Sequence, residues 1–134
     1  MPEAHVEKIR GIFDHWGKGD FTAGPEHFDP HVVLVLRPEF LDAGAYLGRD
    51  GVADYMRAFL EPWTTVTIEA TEITPAGDSV IVEVRQRGLG TASGVEIDFG
   101  YFQAWTFRGE SVIRIESIMG REEAFAAVGR SSLP

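Results

Sequence analysis

The chain of 134 residues contains no cysteine. This absence excludes disulfides, thiolate catalysis and cysteine-ligated zinc. It suits a reducing compartment, and we expect a cytoplasmic protein. No apolar run reaches the roughly 20 residues that a membrane span needs, and the N-terminus lacks the apolar core of a signal peptide. We therefore expect no membrane partner.

Basic residues are scarce as well. The chain has 12 Lys and Arg against 21 Asp and Glu, a formal net charge of −9. Nucleic acids and anionic lipid surfaces bind proteins through basic patches, so this acidic charge balance argues against both partners. The length fits one domain that can bury a core without disulfides or metal. We expect this domain to occupy residues 1–134, with an ordered core of about 3–129.

Helical spacing of apolar residues predicts helices over residues 3–17, about 50–60 and 121–128. Glycines at the ends of the first and last helix mark where they stop. Residues 21–28 predict a short helix or turn that precedes the first strand.

Alternation of apolar and polar residues predicts five strands, joined by turns rich in Gly, Pro and Asp. They span residues 32–36, 65–73, 80–89, 95–107 and 111–119, and residues 38–48 are predicted as a loop. Helices followed by consecutive antiparallel strands indicate the α+β class. We expect a cone-shaped α+β barrel, in which a curved antiparallel sheet wraps on N-terminal helices and encloses a cavity.

The strand at 95–107 carries the strongest signal of a site. Read in steps of two, its buried face is large, apolar and mostly aromatic except for one amide, Gln103. The face consists of Val95, Ile97, Phe99, Tyr101, Gln103, Trp105 and Phe107. A buried amide must find hydrogen-bond partners, so this pattern predicts a pocket with a polar spot in its wall.

The same alternation and the helical spacing bring further side chains to this pocket. We predict the substrate-binding set Trp16, Tyr55, Phe59, Gln86, Phe99, Tyr101, Gln103, Ser117 and Met119. Its polar members are neutral at pH 7 and are poor general bases. Two alternatives remain open: the two amides could satisfy each other or a buried water, and the rings could be plain core.

Among the titratable residues, His31 is the weak candidate for a catalytic base, since it titrates near neutrality close to the helices. His27, Asp29 and His31 invite a metal site, but Pro30 prevents a helical arrangement of these ligands. We expect no metal and no cofactor.

Charges near the end of the first strand suggest a gate. Arg37 with Glu39 or Asp42 could close the cavity mouth, or could form an ordinary surface ion pair. His5 and His15 are expected to be solvated helix residues.

The outer sheet face is expected to hold a lattice of opposite charges on neighbouring strands. It also carries Leu89, Phe102, Ala104 and Ile118, which is more apolar than a free surface requires. This pattern predicts a homodimer formed through the outer sheet face.

The order of elements and several short motifs resemble the nuclear transport factor 2-like superfamily, and within it the SnoaL-like group that includes polyketide cyclases. The matching segments are residues 19–20, 28–33, 46–49, 77–78, 93–94, 105–108 and 121–124. The resemblance spans nearly the whole chain and implies a cone-shaped cavity and a dimer. The superfamily holds isomerases, cyclases, epoxide hydrolases, dehydratases and binding domains, so it leaves the function open.

The catalytic positions of the superfamily are not matched here. The catalytic Asp of ketosteroid isomerases falls at Arg37, or at Leu36 if the alignment shifts by one, and neither is a base. Their oxyanion-binding Tyr and Asp fall at Ile12 and Gln103. The amide of Gln103 can still donate to a carbonyl oxygen.

Two further templates of the superfamily also fail at their catalytic positions. The Arg and two Asp of epoxide hydrolases fall at Val84, Gln86 and Ser117. The acidic residue of the cyclases falls at Ser117 or Gly120. The residues that the resemblance brings to the cavity are therefore better suited to binding than to proton transfer.

We therefore expect a cavity for a small apolar, oxygen-bearing ligand. If the protein is an enzyme, isomerisation or cyclisation of a polyketide- or steroid-like carbonyl compound is the first expectation, with water or His31 as base. One alternative is a non-catalytic association domain with a collapsed cavity. Another is a hydratase or epoxide hydrolase, which requires that Glu83 or Asp98 face inward through a β-bulge near Gly100.

Overall fold

The structure, a computed structural model, describes residues 2–131, so residues 132–134 of the expected frayed tail lie outside the described residues. Its helices are α1 (Pro2–Trp16), α2 (Gly48–Leu60) and α3 (Arg121–Ser131), with a short 3-10 helix at Pro25–His27. Its strands are β1 (Phe28–Leu36), β2 (Gly44–Leu47), β3 (Trp63–Ala76), β4 (Ser79–Gly90), β5 (Glu96–Arg108) and β6 (Ser111–Ile118). None of the helices within residues 2–131 is long and apolar enough to cross a membrane.

The strands form one curved sheet in the order β2-β1-β6-β5-β4-β3. The α+β class is confirmed. Every neighbouring pair is antiparallel except β1 and β6, which run parallel. The sequence prediction did not include this parallel pair, because β1 and β6 are joined by most of the chain rather than by a hairpin turn.

Strand β2 is the one element that the sequence prediction left as a loop. It has only four residues, and its Tyr46 pairs in register with Leu34 of β1. A strand this short shows too few alternations to be recognised without its partner.

The predicted alternation of faces holds at the centre of the sheet but not at the start of β5. Val95 precedes the strand and is 57% exposed, and Phe99 is 37% exposed, so neither belongs to the buried face that the sequence predicted. Val82 and Val84 of β4 and Trp105 of β5 face inward and are almost fully buried. Helix α1 packs the side chains of Ile12 and Phe13 into the same core. The buried apolar stripe of α1 and the inner sheet face therefore form the main core.

The narrow end of the fold is filled by aromatic rings around Trp105, whose exposure is 0%. Its ring centroid lies 6.0 Å from that of Phe13, 5.8 Å from that of Trp16 and 6.3 Å from that of Phe28. These distances are typical of packed aromatic pairs. The rings fill this end of the fold, and two of them, Trp16 and Phe28, also line the cavity described below.

Helix α3 covers the apolar patch of the outer face. Phe102, Ala104 and Ile118 are buried there with Ile81 against Ala124 and Val128 of α3. The sequence analysis assigned this patch to a dimer interface, because it did not place the closing helix on the sheet. Dimerisation through the outer face stays a prediction, but three of the four residues that suggested it are already covered within the chain.

The expected charge lattice lies beside this patch. Arg85 donates to Asp98 at 2.6 Å, and Arg121 donates to Glu83 at 3.1 Å. Arg85 holds the pKa of the Asp98 carboxyl below its usual value through a hydrogen bond and its charge. Glu83 and Asp98 therefore face outward, and the inward carboxylate that a hydratase reading required from these strands is not present at either position.

The prediction that His5 is solvated is wrong. Its exposure is only 6%. The ring stacks on Phe107 with centroids 4.0 Å apart, and Nε2 donates to the Gly109 carbonyl oxygen at 2.8 Å. Since a carbonyl can only accept, Nε2 carries the proton, and Nδ1 has no partner within the described residues. His15 is exposed, as expected, and lies 3.1 Å from Asp20.

Candidate functional site

A cavity of about 1020 Å³ lies between the inner sheet face, helix α2 and residues 39–42 of the β1–β2 connection. This volume is in the range of known small-molecule sites. The exposed lining residues Leu41, Phe99 and Met119 mark its mouth. The open volume does not match the collapsed cavity that the association-domain alternative predicts.

All nine residues of the predicted substrate-binding set line this cavity. They are Trp16, Tyr55, Phe59, Gln86, Phe99, Tyr101, Gln103, Ser117 and Met119. They come from α1, α2 and the strands β4, β5 and β6, with Met119 directly after the end of β6. That they contact a ligand stays a prediction.

The floor of the cavity carries a row of three side chains on neighbouring strands, and two of the three are polar. Antiparallel register places Gln103 of β5 opposite Ser117 of β6, and parallel register places Ser117 beside Leu36 of β1. Gln103 is 6% exposed and Ser117 is 3% exposed. The two polar side chains are thus neighbours on the buried face, and both line the cavity.

The amide of Gln103 has a defined orientation. Nε1 of Trp105 donates to its Oε1 at 3.0 Å. An indole nitrogen can only donate, so the oxygen of the amide must face Trp105 and the NH₂ group must point away from it. No described group accepts a hydrogen bond from this NH₂. Gln103 therefore offers free donors on the cavity side.

Gln86 is held by a different partner. The hydroxyl of Tyr101 donates to Oε1 of Gln86 at 3.0 Å. Burial raises the pKa of the Tyr101 phenol, and the charge of Asp42 adds to the shift, so the phenol stays a donor. The two amides thus bond to aromatic neighbours and not to each other, which answers one of the alternatives left open by the sequence.

The mouth carries a carboxylate that the sequence analysis had placed only in a gate pair. Asp42 lines the cavity, and its backbone oxygen accepts a hydrogen bond of 2.8 Å from the hydroxyl of Tyr46. Burial raises the pKa of the Tyr55 phenol, and hydrogen bonding to Asp42 and the charge of Asp42 raise it further. Asp42 therefore lies among the tyrosines of the mouth.

The proposed gate pair is not formed. Nε of Arg37 donates to Oε2 of Glu116 at 2.8 Å, and Arg37 is not part of the cavity lining. Glu39 does line the cavity. The alternation explains the difference, because Leu36 faces inward and the next residue must face outward, where Glu116 of β6 is the neighbour. Arg37 thus joins two strands on the outer side.

His31 does not reach the cavity. Its side chain is exposed and is not part of the lining, and its backbone nitrogen donates to Oδ1 of Asp29 at 2.8 Å. This bond is the largest cause that holds the pKa of the Asp29 carboxyl below its usual value. A base at His31 would therefore have no access to a ligand in the cavity. Among residues 2–131, no three His, Asp or Glu side chains are grouped as a metal site would require.

Two arginines also line the mouth, and both already have partners. Nε of Arg49 donates to the Phe28 carbonyl oxygen at 2.9 Å, and Arg57 pairs with Asp54 on the same face of α2. The lining contains five charged residues, which are Glu39, Asp42, Arg49, Asp54 and Arg57. All are contributed by the β1–β2 connection or by α2, whereas the sheet contributes only neutral groups.

One group of lining residues that the sequence analysis missed lies on residues 38–48. Phe40 packs against Tyr101 with ring centroids 5.3 Å apart, and Tyr46 packs against Tyr55 at 4.7 Å. The aromatic and acidic residues at positions 40, 42 and 46, together with Glu39 of the proposed gate, are the signal available there. Because this segment was taken as a loop, no face could be assigned to them.

Comparison with known proteins agrees with this architecture. A structure from Burkholderia pseudomallei K96243, an NTF2-like protein of unknown function, matches with a TM-score of 0.76 at 14% identity, over 93% of this chain and 97% of that one. A protein of Jannaschia sp. CCS1, provisionally named a SnoaL-like polyketide cyclase, matches at 0.75 and 17%, over 99% and 95%. At such identities the likeness shows the fold alone.

A third structure, TerC co-crystallised with polyporic acid, matches with a TM-score of 0.74 at 17% identity, over 94% of this chain and 98% of that one. No protein of curated function matches the chain. The model of the SnoaL-like domain family matches residues 9–115, which include α2, β1 to β5 and the larger parts of α1 and β6. The chain belongs to the SnoaL-like domain family of the NTF2-like superfamily.

Proposed function

We propose that this protein binds a small, mostly apolar, oxygen-bearing molecule in the cavity. The observation that carries the proposal is the orientation of Gln103. Its oxygen is held by Trp105 at 3.0 Å, so its NH₂ group can donate to a ligand oxygen. Ser117, directly opposite in the sheet, can supply a second hydrogen bond.

The rest of the lining suits the apolar part of such a molecule. Rings of Tyr55, Phe59 and Phe99 line the walls with aliphatic neighbours. Buried aromatic surface favours ring-containing ligands, because flat faces make large contacts at low entropic cost. The related TerC was crystallised with polyporic acid, so a protein of this fold accepts a small molecule.

The first test is native mass spectrometry of the purified protein under gentle and denaturing conditions. We expect a co-purified small molecule that is lost on denaturation, and its mass narrows the ligand class. The released compound is then titrated into Gln103→Leu. Loss of a hydrogen bond predicts affinity about 3- to 10-fold weaker.

The matched control for Gln103→Leu is Glu96→Gln, on an exposed outer position of the same strand. Its ligand affinity should equal that of the wild type. If Gln103→Leu also bound as well as the wild type, the amide would have no role in recognition and the proposal would lose its main support.

A second candidate function is an isomerase or cyclase acting on a polyketide- or steroid-like carbonyl compound. The presence of Asp42 in the cavity lining favours it, since this carboxylate can accept a proton next to the carbonyl that Gln103 polarises. The test is conversion of a β,γ-unsaturated ketosteroid to its conjugated isomer, followed by ultraviolet absorption. Turnover that disappears in Asp42→Asn would support this candidate. Binding of the ketone without turnover would exclude it for this substrate class.

A further inference from the structure

The carboxylates at the cavity mouth have no cationic partners. Within residues 2–131, neither Glu39 nor Asp42 forms an ion pair. The two arginines of the lining do not neutralise them, because Arg49 donates to the Phe28 carbonyl and Arg57 pairs with Asp54. The side of the mouth formed by residues 39–42 is therefore negatively charged.

Aromatic rings line the same cavity as these carboxylates. The ring centroids of Tyr46 and Tyr55 lie 4.7 Å apart, and those of Tyr55 and Phe59 lie 6.0 Å apart. Asp42 interacts with Tyr55 and Tyr101 through its charge and with Tyr46 through its backbone oxygen. The faces of such rings are the negative parts of their quadrupoles and attract cations.

We propose that the ligand carries an ammonium group, held at the mouth beside Asp42 and the rings of Tyr46 and Tyr55. This inference rests on the proposed binding function. In this proposal the ligand carries a positive charge at one end, and an oxygen at its other end accepts a hydrogen bond from Gln103. The ligand class is thus an amine or quaternary ammonium compound with an apolar body and a carbonyl or hydroxyl group.

Two independent features of the cavity, Gln103 on its floor and Asp42 at its mouth, support this ligand class. Gln103 is 6% exposed, and its oriented NH₂ group has no described acceptor. Asp42 forms no ion pair with the described residues, and its carboxylate has several acceptor sites that a donor of the ligand can use. The cavity therefore offers a hydrogen-bond donor on its floor and a carboxylate at its mouth, which match an oxygen at one end of a ligand and an ammonium group at the other.

An ammonium at Asp42 would occupy the carboxylate and reduce its ability to accept a proton. This inference therefore belongs with the binding function and competes with the isomerase candidate. The two are separable, since one predicts preference for a cation and the other predicts turnover of a neutral ketone.

The experiment uses two probes of the same shape, (4-acetylphenyl)trimethylammonium and its neutral isostere 4-tert-butylacetophenone. Both present a ketone to Gln103, and only one is charged. Binding is measured by calorimetry or by quenching of tryptophan fluorescence. We expect the cation to bind about 5- to 10-fold more tightly. The preference should shrink in ~0.5 M salt, since exposed charges are screened there.

Asp42→Asn should bring the ratio of the two affinities close to one while the affinity for the neutral ketone stays unchanged. Glu39→Gln should reduce the ratio by a smaller factor. Asp98→Asn, an outer-face carboxylate paired with Arg85, is the matched control and should leave the ratio unchanged.

Equal or tighter binding of the neutral isostere would overturn the ammonium proposal and leave the binding function intact. The ammonium proposal would also be overturned if the double variant Asp42→Asn/Glu39→Gln kept the wild-type ratio of the affinities for the two probes. If neither probe bound, the result would contradict the proposed binding function and, with it, the ammonium proposal that rests on that function.

Discussion

The indole nitrogen of Trp105 donates to the side-chain oxygen of Gln103, two residues away on the same face of β5, at 3.0 Å. A residue of the packed aromatic end thus orients a polar group of the open cavity. Since Trp105 is fully buried against Phe13 and Trp16, this donor is held in place by the core. The site and the core are therefore coupled through one hydrogen bond.

This coupling predicts the effect of Trp105→Phe. The substitution keeps an aromatic ring but removes the donor, so the Gln103 amide is free to turn. We expect binding of 4-tert-butylacetophenone to weaken about 3- to 10-fold. In a Gln103→Leu background the same substitution should have no further effect on affinity, which a double-mutant cycle measures. Additive effects of the two substitutions would contradict the coupling.

The buried phenol of Tyr101 predicts how stability changes at high pH. Burial raises the pKa of Tyr101 above its usual 10.0, whereas the unfolded chain ionises near that value. The contribution of Tyr101 to the free energy of unfolding is therefore constant below pH ~10. Above that pH it falls by about 1.4 kcal/mol per pH unit. The check is urea unfolding of the wild type and Tyr101→Phe from pH 8 to 11.

The two curves for Tyr101 separate two effects. The offset at pH 8 measures the lost hydrogen bond to Gln86, about 1 kcal/mol. The difference in slope above pH 10 measures the titration. Parallel curves over the whole range would mean that the phenol ionises equally in the folded and unfolded protein.

His5 predicts a loss of stability without an effect on the cavity. His5→Ala removes the stack on Phe107 and the hydrogen bond to Gly109, which together should cost about 2–3 kcal/mol in the free energy of unfolding. His15→Ala, on the exposed side of the same helix, should change it by less than about 0.5 kcal/mol. Urea denaturation at neutral pH measures the free energy of unfolding of both variants. Equal effects of the two substitutions would contradict the burial of His5.

We further predict a homodimer formed through the part of the outer face that α3 leaves uncovered. Leu89 of β4 lies on that face by alternation and is not part of the cluster under α3. Leu89→Glu should shift the protein towards monomer in sedimentation velocity. Leu47→Glu, which changes an exposed leucine of β2 at the opposite sheet edge, is the control. A wild-type monomer at all concentrations would exclude the dimer.

The sequence predicted the sheet and its buried face well because alternation is a local property. Gln86, Gln103 and Ser117 each sit on strands long enough to show it, and no bulge shifts them to the outer face. The partners of the amides were not predictable to the same degree. Whether Gln103 meets Gln86 or Trp105 depends on the register of the β4–β5 hairpin, which pairs Gln86 with Phe99 and Gln103 with Val82. Alternation assigns the faces of a strand but does not report which residues of two strands lie opposite each other.

The mouth was the part that the sequence described least. Asp42 and Tyr46 lie where the chain leaves one strand and forms another of only four residues. Their positions depend on pairing with β1, and no periodicity reports a pairing partner. His5 was misplaced for a related reason, since the turn that contacts it is 104 residues away in the chain.

The parallel pairing of β1 with β6 also sets the order in which the protein can be completed during synthesis. Arg37 and Glu116 at the end of this pair are 79 residues apart. Ribosomes release β1 long before β6, so the growing chain must wait with an unpaired strand edge, and such edges invite association with other chains. The row of Leu36, Ser117 and Gln103 exists only after the last strand has emerged, which makes binding capability one of the final properties a nascent molecule acquires.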